Sequence, residues 1–210
     1  MFEPFTLRGR FVHLLPMQSE HVDALSAAAS RDRSTFDLTP VPADRDAMAE
    51  YVGAAVEKRL TGEQVPFATF SVALQRIVGS TRFYDLTPWD WSTRSPGSES
   101  RQRHDRPDVA SIGYTWLEPL AQRTPINTEA KLLMMGYAFE TWQVWGVRIK
   151  TDARNQRSRT AIERLGLRLD GVLRADMPAA DGTIRDSAVF SMLAAEWPVH
   201  RKRLADRLAA

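Results

Sequence analysis

The stretch Ile126–Gly166 reads INTEAKLLMMGYAFE over 126–140, VRIKTD over 147–152 and ARNQRSRTAIERLG over 153–166. Its period changes twice. A loop leads into an apolar helix, a strand of β-branched and charged residues follows, and a polar turn opens a second helix that Gly166 ends. Hydroxyl and amide side chains stand at both helix entrances. This is the pattern of a parallel βαβ unit followed by a further helix, whose helix N-termini present unpaired N–H groups and a positive dipole end to a phosphate-bearing ligand.

Working back from this unit, Val109–Leu117 (VASIGYTWL) alternates Ala110, Ile112, Tyr114 and Trp116 against small polar residues and predicts a strand. Before it, residues 87–108 are rich in Pro, Ser and Arg, have no period, and predict a surface insertion between two strands. Phe67–Leu74 and Ile77–Tyr84 predict an antiparallel hairpin about Gln75-Arg76, although that pair lacks the Gly or Asn that tight turns prefer. Helices are expected over Ser19–Ala29, capped by Ser19, and over Ala43–Leu60, after a short strand over residues 10–16 closed by Pro16. The apolar helix of the central unit is expected over Thr128–Trp142, and the strand after it over Val147–Thr151. Beyond it, Gln156–Leu165 predicts a helix, Leu167–Ala175 and Ile184–Leu193 predict strands about an Asp181-Gly182 turn, and Ala195–Leu208 a closing helix. Antiparallel strands joined to one βαβα crossover imply an α/β fold with a mixed sheet in a single domain over 1–210.

Composition removes several classes of function. The 210 residues include no Cys, which excludes disulfides, thiolate metal sites and a cysteine nucleophile and suits a reducing compartment such as the cytosol. Lys plus Arg total 28 against 26 for Asp plus Glu, a formal charge of +2, too balanced for a general nucleic-acid binder. Acids also interrupt the basic run from Arg94 to Arg106. The N-terminus lacks the sustained apolar run of a signal peptide, and no segment has the length of a membrane span, so no membrane partner is expected. His13, His21, His104 and His200 lack metal-ligand spacing, and no metal is expected.

The pieces IGYTW (112–116), TEA (128–130), N-x-x-S-x-x-A-I-x-x-L-G (155–166) and G-x-x-R-D-S (182–187) followed by Glu196-Trp197, in this order, resemble the GNAT superfamily of acyl-CoA-dependent N-acyltransferases. Within it they resemble the branch of the ribosomal-protein N-terminal acetyltransferases RimJ and RimL. The resemblance covers nearly the whole chain. It implies a mixed, mostly antiparallel sheet splayed between two central parallel strands and flanked by helices, with acetyl-CoA as donor. It implies an amine acceptor, either a peptide or protein N-terminal α-amine or a small amino compound, in a bacterial cytoplasmic protein that can form a homodimer. Two alternatives remain: a transferase with a larger acyl donor, and a non-catalytic acyl-CoA-binding or regulatory protein of the same fold.

The resemblance also implies roles for residues. Backbone groups of Trp116 and Leu117 would pair with the pantetheine arm. The pyrophosphate segment corresponds to Gln122, Arg123, Thr124, Pro125, Ile126 and Asn127, with Thr128 beside it. There Pro125 stands where the family favours Gly and lacks an N–H to donate, so the charge of Arg123 and the side chains of Thr124, Asn127 and Thr128 are expected to compensate. Asn155 would bond the cofactor arm, and Ser158 would protonate the leaving thiolate, since the family's tyrosine position is Ile162 here. The carboxylate that relatives often carry before the Gly-Tyr pair is replaced by Ser111. Glu118, Asp85 and Tyr84 are then the candidate bases, Glu118 first by position. An α-amine, with a reference pKa of about 8 against about 10.4 for lysine, requires only a weak base.

Overall fold

The computed structural model describes residues 3–91 and 106–209. Its centre is one eight-stranded sheet: β1 (Leu7–Arg8), β2 (Val12–Pro16), β3 (Val65–Ser71), β4 (Arg76–Thr87), β5 (Val109–Leu117), β6 (Gly146–Asp152), β7 (Arg168–Pro178) and β8 (Ile184–Leu193). The order across the sheet is β1-β2-β3-β4-β5-β6-β8-β7. Only β5 and β6 run parallel.

Helices α1 (Val22–Ser30) and α2 (Arg45–Leu60) cover one face. Their Leu25, Met48 and Val52 pack with Ala68, Ile77 and Trp116 of the sheet in one apolar cluster. Helices α3 (Pro125–Gly136), α4 (Gln156–Leu165) and α5 (Trp197–Ala209) contribute to a second cluster, where Met134, Met135, Ile162 and Leu204 join Phe67, Phe83, Ile112 and Phe190. The central strands therefore lie between two cores, and β3 and most of β5 are buried at successive positions.

The expected order of elements is observed, with local corrections. Ser19 does not cap α1: a 3-10 turn over Ser19–His21 precedes the helix, and the Ser19 hydroxyl donates to Glu20 instead. Asp44 caps α2 by accepting from the Ala47 N–H at 2.9 Å. The β3–β4 turn does without Gly because Gln75 itself adopts the left-handed conformation (φ 51°) and its amide donates to the Val72 carbonyl. The apolar helix starts at Pro125, not Thr128, and after Gly136 widens into a π turn over Tyr137–Thr141 closed by Trp142 N–H to Tyr137 O at 3.1 Å. Strand β7 continues past Ala175 to Pro178, and α5 begins at Trp197, two residues later than expected. Leu7–Arg8 adds an edge strand that the sequence did not suggest.

The insertion expected over 87–108 falls largely outside the described residues, as do His104 and the basic run up to Asp105. At its base, the Trp89 N–H donates to Asp108 Oδ2 at 2.8 Å, and buried Asp108 also accepts from Trp145 Nε1 at 3.2 Å. Trp142 and Trp197 are core residues.

Candidate active site

Strands β5 and β6 pair only from Val109–Ser111 to Gly146–Arg148, after which the ladder ends and the two strands part. The cause is a bulge in β5. Ser80 faces Trp116 and Arg82 faces Gly113, so Tyr114 and Thr115 together oppose Thr81, and Tyr114 takes φ 50°. The bulge bends β5 away from β6 while holding it hard against β4. A Cβ on Gly79 would lie 2.0 Å from the Trp116 carbonyl oxygen, and one on Gly113 would lie 2.7 Å from the Tyr84 ring. Glycine is required at both positions by space alone.

Past the bulge, the Glu118 N–H bonds Val78 O on β4, so by strand alternation the polar groups of Leu117 face the parted side. There the Leu117 carbonyl accepts from Gln122 Nε2 at 2.8 Å. The Trp116 side chain instead packs into the α1–α2 core against Phe36. Gln122 Nε2 also donates to Thr35 Oγ1 at 2.8 Å, and Arg157 Nη2, in the first turn of α4, donates to the Thr35 carbonyl at 3.0 Å. Thr35 of the α1–α2 loop thus ties both lips of the gap together.

Thr124, not Asn127 or Thr128, caps α3: its Oγ1 accepts from Ile126 N–H at 3.3 Å and donates to Ala121 O at 2.7 Å. Pro125 is the first residue of the helix, where the missing N–H would have had no helical partner. Its departure from glycine therefore leaves the N–H groups of Asn127 and Thr128 at the helix mouth, that of Ile126 being taken by Thr124. Arg123 precedes them, exposed and in a left-handed conformation (φ 59°), and the buried Oδ1 of Asn127 has no hydrogen-bond partner among the described residues. On the other lip, Asn155 caps α4 by accepting from Ser158 N–H at 3.0 Å. Ile162 points into the core, so α4 offers no tyrosine to the gap.

Glu118 is fully buried and paired with two guanidinium groups, Arg76 Nη1 and Arg31 Nε, the latter at 3.2 Å. Both guanidinium groups meet Oε2, while the buried Oε1 has no hydrogen-bond partner among the described residues. Asp85 is exposed and accepts from Ser111 Oγ at 3.2 Å. Tyr84 is pushed up to about 12, first by burial and then by Asp85 and Tyr114. It keeps its proton at neutral pH and can only donate.

Two residues that sequence reasoning missed flank the bulge. On the α2 face, the Arg82 guanidinium lies between the rings of Tyr51 and Tyr114, 4.2 and 4.3 Å from their centroids, with Nη1 donating to Gln64 Oε1 at 2.9 Å. On the α3 face, Lys131 is buried with Nζ bonded to Thr81 Oγ1 at 2.9 Å and Thr115 Oγ1 at 2.7 Å, and burial pulls it down to about 7. A lysine inside an apolar helix run and an arginine mid-strand were the available signals. No cluster of His, Asp or Glu suited to a metal occurs among the described residues, nor does a helix long and apolar enough to cross a membrane.

The sequence matches a family model described as an acetyltransferase (GNAT) domain over residues 12–168. The fold matches a GCN5-related N-acetyltransferase from Brucella melitensis at 28% identity and TM-score 0.81, covering 99% of this chain and 86% of that one. A putative acetyltransferase from T. thermophilus matches at 26% identity and TM-score 0.78, covering 99% of both chains. Mycobacterium smegmatis RimJ, in complex with CoA-disulfide, shares the fold at 20% identity and TM-score 0.74, covering 93% of this chain and 90% of that one. A search of curated proteins gave no significant match.

Proposed function

We propose, from the premise that the chain belongs to the GNAT acetyltransferase family, that it moves an acetyl group from acetyl-CoA directly to a primary amine in a ternary complex. It is an N-acyltransferase of that family. The observation that carries the reading is the gap between β5 and β6, which opens beside the N-terminus of α3.

The residues present fit the donor. Leu117 has polar backbone groups on the parted side, where an amide-bearing arm can add as a strand would. The free N–H groups at the start of α3, with Arg123 beside them, suit a pyrophosphate, and the Gln122, Thr124, Asn127 and Thr128 side chains line the same mouth. Asn155 and Ser158 bound the arm on the β6 side. When bound, the donor supplies an activated acetyl thioester. A backbone N–H freed by the bulge would donate to the thioester oxygen, a contact that strengthens as charge develops there.

Proton handling falls to weak groups. Ser158 Oγ has no partner among the described residues and is assigned to donate to the leaving thiolate. Tyr84, protonated throughout the neutral range, is the second donor near the divergence point. The pairing of Glu118 with Arg31 and Arg76 gives it a structural role in this reading, so no strong base acts. That favours an acceptor with a naturally low pKa, an α-amine such as a peptide N-terminus, over a lysine; a small amino compound is the other acceptor of this kind. The unpaired edge of β7, with Leu169, Val172, Leu173 and Met177 exposed along it, supports a homodimer.

Calorimetric titration with acetyl-CoA, desulfo-CoA and a longer acyl-CoA, followed by thiol release with amines, tests the reading. Saturable binding of acetyl-CoA with turnover of an α-amine is expected. Absence of binding at millimolar ligand would overturn it, and tight binding without turnover of any amine would leave only a CoA-binding protein.

A further inference from the structure

Arg82 is 4% exposed, yet it makes no ion pair among the described residues. One terminal nitrogen bonds Gln64; Nε and Nη2, both buried, have no hydrogen-bond partner among the described residues. These two adjacent nitrogens form a parallel two-donor edge of the guanidinium, the geometry that matches a carboxylate or phosphate with two hydrogen bonds. Buried charges are ordinarily paired, because desolvating a charge without a counter-charge is strongly unfavourable. The Tyr51 and Tyr114 rings supply attraction to the face of the cation and nothing to its edge.

The position of this edge gives it meaning. Arg82 sits opposite Gly113, two residues beyond the last parallel pair of β5 with β6, and shares its sheet face with Tyr84, whose ring leaves no room for a Cβ on Gly113. Arg185 of β8 is close enough to act on Tyr84 electrostatically, against the larger and opposite influence of Asp85, so a second cation stands near this face. Asp85, three residues along β4, accepts from Ser111 and forms no ion pair with Arg82. Tyr114, which covers Arg82, is 46% exposed and lies on the bulge, so it is the side chain free to turn aside.

We propose that Arg82 anchors a two-oxygen anion, carboxylate or phosphate, carried by the amine acceptor, and that Tyr114 is the cover that moves to admit it. This rests on the acetyl-transfer reading for the identity of the ligand as acceptor. The acceptor class is then an amine bearing an acidic group within reach of the divergence point, as in an amino acid, a short acidic peptide or an amino-alcohol phosphate.

The test is calorimetry on CoA-loaded protein with acetylated product mimics: N-acetylglycine, N-acetyl-β-alanine and N-acetyl-γ-aminobutyrate, their neutral amides, and N-acetylphosphoethanolamine. At least one anionic probe should bind about tenfold or more tightly than its neutral counterpart, the difference expected of charge-assisted hydrogen bonds. The carboxylate and phosphate arms separate the two sources of the anion. Arg82→Gln should abolish the preference while neutral probes bind as before, and Arg82→Lys should retain part of it. Equal affinity for anionic and neutral probes in the unmutated protein, or binding of none, overturns the proposal without relying on the folding of any variant. Thiol release with the parent amines is measured in parallel. Turnover of amines by the unmutated protein with no preference for anionic over neutral probes, or a preference that Arg82→Gln leaves unchanged, sinks the anchor and leaves acetyl transfer intact. An Arg82-dependent preference in binding with no turnover of any amine leaves the anchor and sinks the transfer reading.

Discussion

Thr81 and Arg82 are consecutive on β4, and the two faces of the sheet at this point bury two cations in opposite ways. On the α3 face, Lys131 has only hydroxyl partners, and burial brings it to about 7, where it can shed its charge. On the α2 face, a guanidinium keeps its proton and must find compensation elsewhere. Arg82 has two aromatic rings and one amide, and a complete donor edge left over. The first arrangement is closed: Lys131, Thr81 and Thr115 satisfy one another, and together they pin the bulge. The second is open on the side that an acceptor would approach. The contrast separates a buried cation that shapes the strand from one with donors left for a ligand.

The most damaging way to break the comparison is to move the frame both cations share. Gly79→Val would drive a side chain into the Trp116 carbonyl, and with it displace the bulge. A loss of more than about 4 kcal/mol is expected, read as a collapse of the denaturant midpoint, with any folded remainder unable to bind acetyl-CoA.

Lys131→Met addresses one side only, and its effect should depend on pH. Folded Lys131 releases its proton near 7, whereas unfolded lysine holds it to about 10.5. Between these values the unfolded chain binds more protons, so the stability of the unmutated protein rises with pH across that window, and the penalty is complete below it. The variant should therefore be more stable by about 3 kcal/mol below pH 7, after allowing for two lost hydrogen bonds, with the gain fading toward pH 10. Unfolding free energies at several pH values check this, and a difference that does not vary with pH would mean that Lys131 is not neutralised by burial. Activity should fall even as stability rises, because Thr115 loses its tether at the bulge.

The double variant Arg82→Met with Gln64→Leu removes the other cation together with its amide partner. A gain of about 1 to 2 kcal/mol is expected, since a buried charge and its polar partner give way to apolar contacts. Unlike the Lys131 variant, it should show the same gain at pH 6 and pH 9. A pH-dependent gain would erase the distinction between the two faces.

The sequence carried the frame of this site better than its interior. Asn155 and Gly166 bound α4 as local rules require; Gly166 adopts φ 102°, and a Cβ there would strike the His200 ring. The helix mouth was misjudged by local rules that were applied three positions out: Pro125 looks like a defect in a phosphate loop until it is seen as the first residue of a helix capped by Thr124. The bulge left no signal, because Tyr114 is a left-handed residue without being Gly or Asn. The two cations were invisible for a different reason. Arg82 is buried by Tyr51 of α2, and Lys131 is satisfied by threonines from two strands, so neither environment exists until distant segments pack.

The smallest test concerns the cover itself. Tyr114→Phe keeps the ring that stacks on Arg82 and removes a hydroxyl with no hydrogen-bond partner among the described residues, so stability should change by less than about 0.5 kcal/mol. Tyr114→Leu removes the ring's attraction to the guanidinium and should cost about 1 kcal/mol at this half-exposed position. The two variants should separate further in ligand binding than in stability. If Tyr114 only fills space, both should bind acidic probes as the unmutated protein does. If it is a cover, the leucine variant exposes the Arg82 edge without a ring to turn aside, and acidic probes should associate faster with it than with the phenylalanine variant. Stopped-flow association rates on the two proteins decide between these, since a residue that merely stabilises the strand would alter the melting curve and leave the rate of anion entry unchanged.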